Sequence, residues 1–183
     1  MKVEVRLAGS GGQGLILAGI ILAEGCGVYE KKYVVQTQSY GPEARGGSSR
    51  SDVIISDREI LFPKARRVDL LACLSQAAYC DYLSSLKEEG ILLLDDFYVR
   101  ESNSPSAFFL PFSRLAREKL GRELFANIIL LGTIAKILER RYGFCHLDSL
   151  KKALAKRVPK DYLSENLSAL ELGYHLQKEL TDG

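Results

Sequence analysis

Hydrophobic and polar positions alternate at the start of the chain: Val3, Val5 and Leu7 are separated by Glu4 and Arg6, the period-two signature of a strand. A glycine-rich turn, Gly9–Gly14, leads straight into the apolar run Leu15–Ala23, too short to span a bilayer and suited to a helix buried against a sheet. Tyr33–Gln38 and Ser51–Ser56 read as the second and third strands, with Asp57 and Arg58 as a turn. Ile60–Phe62 reads as a short strand, the hairpin partner of the third, stopped by Pro63. Val68–Leu74 is continuously apolar, as a strand covered on both faces should be. Ser75 then caps a helix over Gln76–Leu86, Gly90 breaks the chain, and Ile91–Leu94 forms another buried strand ending at Asp95 and Asp96. Ala107–Leu110 is a last short strand before Pro111. The remainder is helical: Arg114–Leu120 capped by Ser113, Asn127–Tyr142 with Gly132 open to a close neighbour, Leu147–Arg157 and Leu163–Leu180. This order predicts an α/β fold, a mainly parallel doubly wound sheet with a short hairpin excursion and a helical C-terminal third.

Strand, glycine turn and helix together give the glycines mechanical meaning. Gly9, Gly11 and Gly14 satisfy G-x-G-x-x-G, the Rossmann-like fingerprint, in which backbone N–H groups at a helix start attract an anion. Dinucleotide binding also requires an acid at the tip of the second strand, about 20 residues on. Here that strand ends in Gln36, Thr37 and Gln38, while Glu24 and Glu30 precede it, so ordinary NAD binding is disfavoured. Two readings remain: a phosphate-holding turn, or glycines that only permit close helix–strand packing.

The segment Ser39–Arg50 carries Gly-Pro and Gly-Gly pairs around an acid, a base and an aromatic, which implies an irregular loop. In a doubly wound sheet it opens at the same edge as the first glycine turn, where such folds place ligands. The planar fork of Arg45 suits a phosphate or carboxylate; alternatively Glu43 and Arg45 pair with each other or with a neighbouring subunit. The candidate contact residues are therefore Gly11, Gly12, Gln13 and Gly14 in the turn, and Ser39, Tyr40, Gly41, Glu43, Arg45, Gly46 and Gly47 in the loop.

These two motifs, G-S-G-G-Q-G and Y-V-V-Q-T-Q-S-Y-G-P-E-A-R-G-G-S-S-R-S-D-V-I-I-S over Tyr33–Ser56, resemble the gamma subunit of 2-oxoacid:ferredoxin oxidoreductases. The Gln36–Gly47 wording is most similar to the 2-oxoglutarate branch, with gamma subunits for pyruvate, branched or aryl 2-oxoacids as the alternative. The resemblance continues through Ile60–Pro63, Asp69–Leu71, Asn127–Thr133 and Glu165–Gly173 and covers nearly the whole chain, so that residues 1–183 are expected to form one gamma-type domain. It implies a subunit of a complex that decarboxylates a 2-oxoacid with coenzyme A, giving an acyl-CoA, carbon dioxide and reduced ferredoxin. Thiamine diphosphate, Mg2+ and [4Fe-4S] clusters are implied on partner alpha and beta subunits, with a delta subunit as a further option, and no cofactor, metal or catalytic residue on this chain. The implied role here is assembly and shaping of the coenzyme A access region. A free-standing nucleotide-binding oxidoreductase and a purely structural module are the rivals.

Composition narrows the choice further. With 46% hydrophobic and 26% charged residues an ordered domain is expected, and 25 basic against 23 acidic residues predict no grip on nucleic acid. The basic trio Lys64, Arg66 and Arg67 reads as a solvated turn. Cys26, Cys73, Cys80 and Cys145 contain no C-x-x-C pair, and Cys73 and Cys80 read as packed thiols. His146 and His175 read as surface or capping residues, and Asp95 and Asp96, consecutive on a strand, point to opposite faces and do not converge on one ion. No secretory signal or membrane span is expected, which makes a cytoplasmic location the default; self-association of the isolated chain stays open.

Overall fold

The computed structural model describes residues 1–39, 48–105 and 107–176. Six strands form one sheet: β1 (Lys2–Ser10), β2 (Tyr33–Ser39), β3 (Ser48–Ser56), β4 (Val68–Cys73), β5 (Leu86–Asp95) and β6 (Ala107–Leu110), in the order β2-β3-β1-β4-β5-β6. β1, β4, β5 and β6 run parallel, and β3 alone is inverted, antiparallel to both β1 and β2. The mainly parallel sheet expected from the sequence is present.

Its hairpin is elsewhere. β2 and β3 make it, inside the sheet, and Ile60–Phe62 is not a strand. Both edges of β3 are already taken, by β1 and β2, so no ladder is free for Ile60–Phe62 to join.

Helices cover the two faces unequally. α1 (Leu15–Glu24), α3 (Phe112–Leu120), α4 (Ala126–Tyr142), α5 (Leu147–Arg157) and α6 (Leu163–Tyr174) share a core with Val3, Val5 and Leu7. α2 (Gln76–Tyr82) packs on the other face with Ala8, Leu71, Leu92 and Leu94. Ser75 caps α2 as expected, its hydroxyl accepting from the Ala78 N–H. The helix is shorter than predicted, because Leu83–Ser85 tighten into a 3-10 turn in which Ser85 Oγ donates to the Tyr82 carbonyl. Gly90 does not break the chain: β5 runs through it, with a register irregularity against β4 between Val68 and Leu70.

Two further boundaries differ. α3 begins at Phe112, and its early N–H at Ser113 is held by Asp95 Oδ2 at 2.7 Å, so the cap comes from the end of β5 and not from the Ser113 hydroxyl. α6 ends at Tyr174, and His175 lies just past it; the predicted end at Leu180 is outside the described residues. α4 is buried without interruption from Ala126 to Ala135, and its Gly132 meets Gly173 of α6 in backbone contact.

Candidate functional site

β1 and α1 deliver the turn Gly11–Gly14 to the carboxyl edge of the sheet. Gly12 (φ 87°) and Gly14 (φ 72°) are left-handed, a conformation that side-chain-bearing residues adopt at a cost. Gln13 holds the turn from within. Its Oε1 accepts from the Ser10 N–H at 2.7 Å, and its Nε2 donates to the Leu74 carbonyl at 3.0 Å. A Cβ on Gly9 would lie 2.3 Å from Gln13 Oε1, whereas one on Gly11 or Gly12 would meet nothing within 4 Å. The turn therefore spends its one polar side chain inward and leaves Gly11 and Gly12 as a bare outward surface. α1 carries no side-chain cap at Gly14, whose carbonyl instead accepts from Asn127 Nδ2 at 2.9 Å.

The register brings the second loop's two ends to the same edge: Ser48 pairs with Ser10, and Ser39 with Arg50, itself paired with Ala8. Ser39 is thus placed beside the turn; Tyr40, Gly41, Glu43, Arg45, Gly46 and Gly47 lie outside the described residues. Where the chain re-enters at β3 it is firmly held. Ser48 Oγ donates to Asp81 Oδ2 at 2.5 Å, Tyr82 OH donates to the Ser48 carbonyl, and Ser49 Oγ donates to the Gly9 carbonyl. Beneath it Arg6 clasps Asp52 through Nε and Nη2 at 2.7 and 2.9 Å, and the guanidinium groups of Arg6 and Arg50 both lie against the Tyr82 ring. Sequence reading passed over Arg6, Asp52, Asp81 and Tyr82. The only signal was opposite charge at Arg6 and Asp52 on two strands, which means something once their register is known.

Two hollows flank the turn and share the exposed Leu124 as a partition. One, of ≈ 200 Å³, is lined by Gly12, Gln13, Leu74, Ser113 and Glu123. The other, of ≈ 280 Å³, is walled by Gly14, Leu17, Phe125, Ile128, Val158 and Tyr162. Each has a buried polar atom without a partner among the described residues: Ser113 Oγ lies at the first and Asn127 Oδ1 at the second.

The remaining candidates are structural. The Asp95 carboxylate is fully buried, accepting from the N–H groups of Phe97, Tyr98 and Ser113, while Asp96 pairs with Arg114 at 2.6 Å, so the two diverge as expected. Burial pushes the Cys73 thiol far above its ordinary value, and Cys145 is raised by burial and by a hydrogen bond with Cys26. Cys80, expected to be packed, is exposed on the outer face of α2. Glu139 accepts from Tyr174 OH and lies 3.2 Å from His146 Nδ1. Burial works against the Glu139 carboxylate, but the hydrogen bonds from Tyr174 and His146 win and keep its pKa below the ordinary glutamate value. Burial, helped by the Glu139 carboxylate, pushes Tyr174 up to about 12. Among the described residues no group of three or more His, Cys, Asp or Glu side chains forms a metal site, and no helix is long and apolar enough to cross a membrane.

A family model described as pyruvate ferredoxin/flavodoxin oxidoreductase matches residues 4–176. The chain belongs to this family. Its similarity to the 2-oxoglutarate synthase subunit KorC of Methanocaldococcus jannaschii is 44% identity, over 98% of this chain and 96% of that one. Among solved structures of the family, the gamma subunit of a keto/oxoacid ferredoxin oxidoreductase from Geobacter sulfurreducens shares 39% identity with a TM-score of 0.82, covering 94% of this chain and 96% of that one. A 2-oxoglutarate:ferredoxin oxidoreductase from Magnetococcus marinus, solved with 2-oxoglutarate, coenzyme A and succinyl-CoA, matches all of this chain but 32% of its own, with a TM-score of 0.83. At 21% identity that likeness carries the fold alone. The family resemblance read from the glycine turn and the Tyr33–Ser56 segment is borne out.

Proposed function

We propose that the chain is the gamma subunit of a 2-oxoglutarate:ferredoxin oxidoreductase. On this reading the complex decarboxylates its 2-oxoacid with coenzyme A to an acyl-CoA, carbon dioxide and reduced ferredoxin. Full-length similarity to KorC at 44% identity carries the assignment of branch. Thiamine diphosphate, Mg2+ and [4Fe-4S] clusters reside on alpha and beta subunits in the cytoplasm, and this chain contributes assembly and one wall of the coenzyme A approach. The observation that supports a ligand-facing wall is the turn: Gly11 and Gly12 bare outward, Gly14 at an uncapped helix start, and Ser39 and Ser48 at the same sheet edge. Exposed N–H groups at a helix start suit a phosphate oxygen.

Gly11 offers a clean test. It is not left-handed and has open space around it, so Gly11→Leu adds bulk on the outward face without straining the fold. In the assembled complex the apparent KM for coenzyme A should rise about tenfold while gel filtration stays unchanged. Dissociation of the complex would mark the turn as a protein seat, the second reading, which the inward use of Gln13 favours. Unchanged kinetics in an intact complex would refute both.

A further inference from the structure

The ≈ 280 Å³ hollow beside Gly14 has the features of a binding site and not of a packing defect. Its walls are apolar, supplied by Leu17, Phe125, Ile128, Val158 and the Tyr162 ring. One polar acceptor in it is unused among the described residues: Asn127 is 3% exposed, its Nδ2 is committed to the Gly14 carbonyl, and its Oδ1 has no partner there. A buried acceptor left unpaired is rare in folded proteins and calls for a missing donor. At the mouth the Arg122 guanidinium lies 5.0 Å from the centroid of the Tyr162 ring, holding a cation on a flat aromatic surface. The uncapped start of α1 opens on the same side, at Gly14.

These features fix the class of occupant. The volume is just below the ordinary ligand-pocket range, about 300–1,000 Å³, and admits one ring system but not a whole cofactor. Apolar walls and an aromatic platform select a planar ring. Asn127 Oδ1 selects a ring bearing an N–H donor, and Arg122 with the α1 start selects an anionic group attached to it. The neighbouring hollow has Glu123 in its wall, which disfavours an anion there, so the charged end belongs on the Arg122 side. We propose that this hollow seats the adenine ring of an adenine nucleotide, with its phosphate groups directed to Arg122 and the start of α1 at Gly14. The inference deepens the coenzyme A reading above: the nucleotide end of that co-substrate is the occupant.

The test uses the assembled oxidoreductase with adenosine 3′,5′-bisphosphate as the probe. The bisphosphate should inhibit in competition with coenzyme A. Arg122→Ala, a change at an exposed residue whose ring contact is Tyr162, should weaken that inhibition about tenfold, and Val158→Phe, which fills the hollow, should abolish it. Gel filtration and thermal unfolding report whether each variant is assembled and folded; Arg122→Ala serves if Val158→Phe does not fold. Inhibition unaltered in folded, assembled variants would overturn the proposal. Loss of assembly in Arg122→Ala would also overturn it, since the hollow would then be a seat for a partner chain. Unaltered inhibition in these variants together with a raised coenzyme A KM in Gly11→Leu would leave the wider reading standing and sink the pocket alone.

Discussion

Gly132 and Gly173 let α4 and α6 touch backbone to backbone, and the sign of a single substitution tests whether that contact matters. A Cβ placed on Gly132 would lie 2.1 Å from the Leu170 carbonyl oxygen and 2.7 Å from the Tyr174 nitrogen. One on Gly173 would lie 1.8 Å from the Ile129 oxygen and 2.6 Å from its carbonyl carbon. All of these are main-chain atoms in helices, so relief requires the helices to part by about 1 Å. A gap of that size forfeits roughly a quarter to a half of the dispersion well for each contact along the seam. Overpacking of this kind costs about 1–3 kcal/mol, and with two rigid obstacles the upper end applies. Against it stands the helix propensity of Ala over Gly, about 1 kcal/mol at an interior position such as Gly132. Gly132→Ala should therefore lose about 2 kcal/mol, a fall in Tm of about 4–8 °C for a chain of this size. Gly173→Ala should lose about 3 kcal/mol. The double variant should cost less than the sum, because one displacement relieves both clashes. Differential scanning calorimetry or urea unfolding reads the result. A rise of a few degrees in Gly132→Ala, which propensity alone demands, would refute the argument from close approach.

The Arg6–Asp52 pair, with side chains 4% and 6% exposed, should behave as a buried ion pair. Asp52→Ala strands the guanidinium and should lower stability by about 3–5 kcal/mol, whereas Arg6→Met with Asp52→Leu should recover most of it in urea unfolding. Recovery that fails would mean that Arg6 matters through Tyr82 and the Ala65 carbonyl instead. The Glu139–Tyr174 contact predicts two pH limbs. Glu139 lies below its reference of 4.5 in the fold, so its contribution is present above that pH and is lost as pH falls through the lower folded value. Tyr174 is raised from 10.0 to about 12, so its contribution is full below pH 10 and fades as pH climbs toward 12. Glu139→Gln should abolish the acidic limb and shrink the alkaline one without removing it, since burial is the larger cause at Tyr174, in pH-dependent thermal unfolding; two unchanged limbs would remove the pair from the account.

What could be read without coordinates was local. β1, the glycine turn and α1 lie within about two dozen residues, and both the period-two pattern and the left-handed glycines are properties of that stretch. Leu147–Arg157 was bounded correctly, and Ser75 was recognised as a cap because its hydroxyl serves an N–H three residues on. Failures came where a distant partner decides. Ile60–Phe62 has a strand's composition but no free ladder, and Ser113 was outcompeted for its own helix start by Asp95, eighteen residues upstream. The candidate site divides the same way. Gly12 and Gly14 were recognisable, but Gln13 bonds to Leu74 across sixty-one positions and Asn127 to Gly14 across one hundred and thirteen. No pattern in a short window signals either.

That long-range tie also bears on what the turn can do. Asn127 stands at the start of α4 and Glu139 twelve residues further on, about 18 Å along the axis at 1.5 Å per residue. The acid with the lowered pKa and the raised tyrosine thus sit at the far end of the helix that braces the glycine turn. At the turn itself the outward surface is main chain, and the one polar side chain, Gln13, faces inward. Main-chain N–H groups can fix an anion in place but do not exchange protons with it near neutral pH, and a turn braced by Gln13 and Asn127 has little freedom to lose on binding. Such a surface fits the role proposed above, positioning a phosphate-bearing group for chemistry performed by other residues. On that proposal, discrimination among anions falls to the rim, where Arg122, Leu124 and Tyr162 line the neighbouring hollow.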